Sequence, residues 1–172
     1  MKVTFIFANT RISSHKFVNF LIKWIDKSKS GHFAILLDTD FTSNIFEAVS
    51  PKVREIKLDD WIKQYDAQSF TCFEVPEHKR ADVIYWLKNM VGIRYGYGQV
   101  LLIGFFCIFK KLASIIPKVN LNYKSAVICT ELGSRFIEKF LDYPLNKSHD
   151  EIGINDMEKI IEKISLGAKW LT

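Results

Sequence analysis

The chain is short of the residues that small exported or metal-dependent domains rely on. Its 172 residues include only 3 cysteines, Cys72, Cys107 and Cys129, widely spaced and with no Cys-x-x-Cys pair. An odd count without pairs indicates neither a disulfide framework nor a zinc site, and no metal or other cofactor is expected. Proline (4) and glycine (8) are sparse, and no Pro/Gly/Ser stretch is long enough to link two domains. Nothing repeats and no segment is of low complexity, so residues 1–172 read as a single domain of ordinary size. Long apolar runs are missing too. The greasiest stretch, Val100 to Phe109, is followed at once by Lys110 and Lys111, short of the ~20 residues a membrane-spanning helix needs. Met1 to Ala8 is too brief for a signal-peptide core and lacks a small-residue cleavage site. Neither sign of charge dominates: Lys+Arg 24 against Asp+Glu 19 leaves a net +5. No basic block interleaved with aromatics stands out, so nucleic acid is not an expected partner.

What the chain has is apolar and aromatic mass. Hydrophobic residues make up 48% and aromatics 14%, which excludes disorder as the main state. Lys2 to Phe7, His32 to Asp38, Asn44 to Val49, Val53 to Leu58 and Ser69 to Val75 read as strands, with a turn at Ser50-Pro51. Helical spacing predicts a helix from Ser14 to Lys27, capped by Ser13 or Ser14. Asp59 or Asp60 can cap a short helix through Trp61 and Ile62, and Pro76 opens a helix to about Met90. Gly92 to Gly98 is a glycine and tyrosine loop, and the greasy segment after it reads as a helix to about Ile116, ended by Pro117. Ser125 can cap a helix from Ala126 to Leu141, and Asn155 with Glu158 resembles a capping arrangement for a helix to about Ile164. Strands gather in the first half and helices in the second, the pattern of an α+β domain whose antiparallel sheet is covered by helices.

A thiol nucleophile must be held as thiolate near neutral pH, which a helix N-terminus and a nearby imidazole both promote. Only Cys129, in the opening turns of a predicted helix, meets the first condition. Cys107 in an apolar run and Cys72 in a strand are better read as packing residues. Of the 4 histidines, His15, His78 and His149 lie in polar or charged surroundings. His32 alone begins a strong strand, where its ring can project at the sheet's end. Glu47, inside Ile45 to Val49, is costly to bury without a hydrogen-bonded partner. If its strand pairs antiparallel with His32 to Asp38, carboxylate and imidazole share a face, and the carboxylate can orient the ring. The plainer readings are a buried structural cysteine, a packing histidine and an edge-strand glutamate pointing into solvent.

Taken together, Ser30-Gly31-His32-Phe33-Ala34-Ile35, then Phe46-Glu47-Ala48, then Tyr95-Gly96-Tyr97-Gly98, then Cys129-Thr130-Glu131-Leu132 resemble the circularly permuted NlpC-type members of the papain-like superfamily. The YiiX-like subgroup is the nearest in pattern. The histidine precedes the cysteine, whereas unpermuted papain-like enzymes place the cysteine first. The resemblance spans about Val3 to Leu141. Gly31, where a serine is more usual, and the apolar insertion Val100 to Ile116 depart from the pattern. The resemblance implies a papain-like antiparallel sheet packed against helices. It also implies Cys129 as nucleophile, His32 as base and then acid, Glu47 as the orienting group, and Tyr95 beside the oxyanion site. Gly133, one turn beyond Cys129, leaves space on that helix face for the sheet bearing His32.

The expectation is therefore a cysteine peptidase or amidase that cleaves a peptide or isopeptide bond, first of all in cell-wall peptide, through an acyl-thioester. Two alternatives belong to other classes. One is a lipid acyl hydrolase or acyltransferase similar to the lecithin retinol acyltransferase group, with Leu101 to Phe109 lining an acyl channel or touching a bilayer. The other is a non-catalytic binding protein with a papain-like pocket. With no signal or spanning segment read in the sequence, a cytoplasmic or phage-associated location is the default expectation.

Overall fold

Residues 1–13, 16–96 and 126–167 are described by a computed structural model. In chain order they form β1 (Lys2–Thr10), α1 (Lys16–Asp26), β2 (His32–Asp38), β3 (Ser43–Val49), β4 (Lys52–Lys57), α2 (Leu58–Trp61) and β5 (Tyr65–Glu74). There follow α3 (Arg80–Met90), β6 (Arg94–Tyr95), β7 (Ala126–Val127), α4 (Cys129–Leu141) and α5 (Ile154–Gly167). The architecture is α+β, and the described strands make one 7-stranded sheet in the order β5-β1-β2-β3-β4-β6-β7. The sheet is mixed rather than wholly antiparallel. All neighbours run antiparallel except β6 and β7, which pair in parallel through Arg94 with Ala126 and Tyr95 with Val127.

Side-chain alternation along the strands divides the core in two. Phe5, Phe33, Ile35, Phe46 and Phe73 face the helices and pack with Leu132, Phe136, Ile137, Met157 and Ile161 in one large cluster. Phe5 is its hub, with ring centroids 5.7 Å from Phe33, 5.3 Å from Phe73 and 5.6 Å from Phe136. The opposite face carries a smaller cluster of Ile6, Ala8, Ala34, Ile45, Trp61 and Tyr65. His32 and Glu47, at alternate positions to Phe33 and Phe46, belong to this second face.

Several boundaries and caps differ from the sequence expectation, each for a physical reason. Strand β5 begins at Tyr65, four residues early, and β1 runs on to Thr10 because the two pair there, past a bulge at Phe7/Ala8. After the buried Tyr65, the added residues Asp66 to Gln68 are exposed because this is a sheet edge, so the segment carries no alternating signal. Cys72 is exposed on the same edge strand and is not a packing residue. Asp59 and Asp60 lie inside the first turn of α2, whose N-cap position is Lys57. Ala126 and Val127 are drawn into the sheet, so α4 starts at Cys129 behind an extended Ile128 and is not capped by Ser125. The start of α5 is capped from a distance: Asp26 Oδ2, at the end of α1, accepts the Asn155 N–H at 2.7 Å. Ser14, His15, Tyr97, Gly98, Cys107 and the helix expected over Val100 to Ile116, with Leu101 to Phe109 in it, lie outside the described residues.

Candidate functional site

The ladder between β2 and β3 runs from Asp38/Ser43 to Ile35/Phe46 and stops there. Beyond it β2 continues against β1, with His32 opposite Ala8, while β3 continues against β4, with Glu47 opposite Arg54. The two strands thus part at the end where His32 and Glu47 lie, and their side chains close the space between them. Gly31, just before His32, donates its N–H to Ala8 O at 3.1 Å and to Asn9 Oδ1 at 3.2 Å, anchoring the strand's start. A Cβ there would stand 2.0 Å from Asn19 Oδ1, so glycine suits this position.

His32 Nε2 and Glu47 Oε2 are 2.6 Å apart, and both side chains are buried. Glu47 has no solvent contact but does not lack donors. Trp61 Nε1 donates to Oε2 at 2.9 Å, and Arg54 reaches Oε1 with Nε at 2.7 Å and Nη2 at 2.6 Å. Burial pushes the carboxyl pKa up, but the hydrogen bond and charge of His32, the charge of Arg54 and the Trp61 bond together hold it below the usual value. A carboxylate with two cationic neighbours and an indole N–H stays ionised despite its burial.

Cys129 is the first helical residue of α4 and is buried. The first-turn N–H groups of a helix have no intrahelical acceptors, so its amide is free of the α-helical pattern. Two features bring this helix end to His32. Strand β7 leads straight into it and is held by β6, with Gly96 N–H on Val127 O at 3.2 Å. Gly133, one turn on, lies against the Phe33 ring, where a Cβ would be 2.4 Å from Cε1. Helix and strand therefore approach as closely as a glycine allows. The Cys129 side chain lies close enough to the His32 ring to raise its pKa, and because Nε2 serves Glu47, Nδ1 is the nitrogen left to face the sulfur. Burial alone would lower the His32 pKa, but the Cys129 bond, then the Glu47 bond and the charges of both, push it up to about 10.

Tyr65 from β5 completes the surroundings. Its ring stacks on His32 at 4.8 Å and 17°, and on Trp61 at 4.9 Å and 19°. Burial and the Glu47 charge push its hydroxyl pKa up. The structure thus brings together Cys129, His32 and Glu47. Tyr95 sits on β6, beside the strand that leads to Cys129, and its half-buried ring packs against the helix-side core. His149 belongs elsewhere, bound to Ser134 Oγ and Glu138 Oε2, each at 2.9 Å, and His78 is exposed.

Arg54, Trp61 and Tyr65 were not legible as site residues, although one clue existed. A two-residue turn at Ser50-Pro51 sets Val49 opposite Lys52, and two steps back along each strand set Glu47 opposite Arg54. Tyr65 carried no such clue, because it arrives from a strand whose start had no apolar pattern. Among the described residues no group of His, Cys, Asp and Glu is placed to hold a metal ion, and no helix is long and apolar enough to cross a membrane. No protein-family model matches the chain, and no curated protein is similar to it in sequence.

Proposed function

We propose that this chain is a cysteine hydrolase of amide bonds, built as a circularly permuted, NlpC-type papain-like domain. The observation that carries the reading is the His32 imidazole held between the Cys129 side chain and the buried Glu47 carboxylate. The order of the groups in the chain, histidine and acid before cysteine, supports the permuted assignment.

In this mechanism the Cys129 proton is held on His32 Nδ1, in line with the raised pKa of the ring, and the thiolate attacks the substrate carbonyl carbon. The oxyanion that develops is stabilised by the backbone N–H of Cys129, a donor worth about 3 kcal/mol. Tyr95, on the strand alongside, is assigned to the same side of the site. The His32 imidazolium then protonates the leaving amine, and the acyl group remains on sulfur as a thioester. A water molecule, deprotonated by His32, attacks that thioester and releases the acid. Glu47 keeps Nε2 protonated throughout, which leaves Nδ1 as the working nitrogen.

Peptide or isopeptide substrates suit this chemistry, and cell-wall peptide is the first choice, since a net charge of +5 favours contact with an anionic polymer. The test is Cys129→Ala. It is expected to abolish both peptide hydrolysis and labelling at residue 129 by a thiol-directed electrophile, read by peptide mass mapping because the exposed Cys72 reacts independently. The thermal midpoint should stay nearly unchanged. Hydrolysis retained by the variant would overturn the reading.

A further inference from the structure

The carboxylate that orients His32 is itself held by a residue no sequence motif singles out. We infer that Arg54 is a positioning residue, whose forked grip on Glu47 fixes the carboxylate that aims the His32 ring at Cys129 and so sets the pH range in which the thiol reacts. The inference rests on the hydrolase reading above and extends it.

Arg54 binds three parts of the site wall at once. Its Nε and Nη2 lie 2.7 and 2.6 Å from Glu47 Oε1, and Nη2 lies 2.8 Å from Gln64 Oε1. It also lies close enough to Tyr65, the ring that lies flat on the imidazole, to lower that hydroxyl's pKa. One guanidinium therefore ties the acid behind the histidine to the aromatic plate beside it. The two carboxylate oxygens are divided between two tasks, Oε1 for Arg54 and Oε2 for His32 and Trp61. With Oε1 pinned, Oε2 cannot swing away from the ring.

Among the described residues, the groups facing His32 are Glu47 from β3, Cys129 from α4 and Tyr65 from β5, with Arg54 from β4 facing Glu47 and Tyr65. Trp61 from α2 is neutral. Arg54 is thus the one fixed cation in this set, balancing Glu47 so that the buried carboxyl stays ionised. Losing this cation should loosen the ring and make the thiolate harder to form. The side chain of Arg54 is 34% exposed, so the role does not depend on deep burial of the arginine. A lysine would keep the charge but not the fork.

The experiment is the pH dependence of iodoacetamide alkylation at Cys129, followed by mass spectrometry of its peptide across about pH 4 to 9, for wild type, Arg54→Gln and Arg54→Lys. It needs no substrate. The wild-type acid limb is the reference against which the variants are read. In Arg54→Gln it should rise by about one pH unit, so that the rate on the limb falls about tenfold. Arg54→Lys should return the limb toward wild type while the plateau rate stays several-fold low. An Arg54→Gln limb that coincides with wild type, in protein whose thermal midpoint shows it folded, would overturn the positioning role and leave the hydrolase reading intact. Folded wild type whose residue 129 takes up no label at any pH would instead sink both. Should Arg54→Gln not fold, Arg54→Lys decides alone, and a plateau and limb both equal to wild type would overturn the inference.

Discussion

The two faces of the sheet solve opposite problems with the same strands. Toward the helices, β1, β2 and β3 present Phe5, Phe33, Ile35 and Phe46 to an apolar layer that asks only for volume and shape. Toward the other side, the alternate residues His32 and Glu47 meet Arg54, Trp61 and Tyr65, where each polar atom needs a specific partner. Apolar packing therefore resides mainly on one face and the candidate site on the other. The N-terminus of α4 is where they meet: Cys129 belongs to the helix layer, yet its side chain lies close enough to a histidine of the opposite face to raise that ring's pKa. The parting of β2 from β3 beyond Ile35/Phe46 leaves the opening that makes this meeting possible.

The largest effect should come from breaking the polar face. Glu47→Gln keeps the shape but removes the charge and can present an N–H where His32 needs an acceptor. By analogy with the same change in serine-protease triads, the turnover rate should fall on the order of 10⁴-fold, about 5.5 kcal/mol of barrier. Steady-state hydrolysis checks it, and a loss under tenfold would mean Glu47 does not orient the ring. The converse break is Phe136→Ala on the helix face. It should cost about 3–5 kcal/mol of stability in urea unfolding, while the fraction still folded keeps its Cys129 alkylation limb.

Gly133→Ala probes the seam between the faces. The added methyl would stand 2.4 Å from Phe33 Cε1 and 3.1 Å from Met157 Cε, so the helix or the ring must shift. Overpacking of about 1–3 kcal/mol is partly offset by alanine's helix preference of about 1 kcal/mol. The net loss should be smaller than for Phe136→Ala, yet, unlike that variant, it should also slow Cys129 alkylation because the helix bearing the thiol is displaced. A stability loss with unchanged alkylation would show that the two faces are less tightly joined than the contact implies.

The polar face also has a pH signature. His32 has a folded pKa raised to about 10 from 6.5, so its contribution to stability is complete below about pH 6.5 and is lost as pH rises through about 10. Glu47, whose pKa is lowered from 4.5, contributes above that value and fades as pH falls. Unfolding free energies measured across the alkaline window should decline more steeply for wild type than for His32→Asn. Parallel curves would mean the imidazole is not held protonated in the fold.

How much of this was legible followed the same division. The helix face announces itself through apolar residues: β2 and β3 were readable as short apolar runs, and α3 and α4 as apolar residues on successive helical turns. Cys129, His32 and Glu47 were singled out because each residue type is unusual in its apolar setting. The start of β5 was not readable, because an exposed edge imposes no pattern, and neither was the cap of α5, supplied by Asp26 from 129 residues earlier. Nor was the start of α4, where pairing of Ala126 and Val127 with β6 overrides their helical spacing. Partners set by tertiary contact leave little trace in local sequence, and Arg54, Trp61 and Tyr65 are of that kind.

The smallest expected effect lies one residue from Arg54 and sharpens the contrast between faces. Arg54 and Glu55 are neighbours on β4, so their side chains point to opposite sides of the sheet. Arg54 pairs with fully buried Glu47, whereas Glu55 pairs with Lys88 of α3 at 2.6 Å, and the lysine is 53% exposed. Glu55 has a second donor in Asn44 Nδ2 at 2.7 Å, and Lys88 also lies 5.8 Å from the Phe46 ring centroid. The ion pair looks as short as the one at the site, but water screens it from the lysine side, and Glu55 keeps Asn44 as a donor when it breaks. Lys88→Ala should therefore cost under about 1 kcal/mol in urea unfolding, with no shift of the Cys129 alkylation limb. A limb displaced as far as in Arg54→Gln would mean that any cation on β4's surroundings tunes the thiol through bulk electrostatics, and that the forked contact to Glu47 has no special part in it.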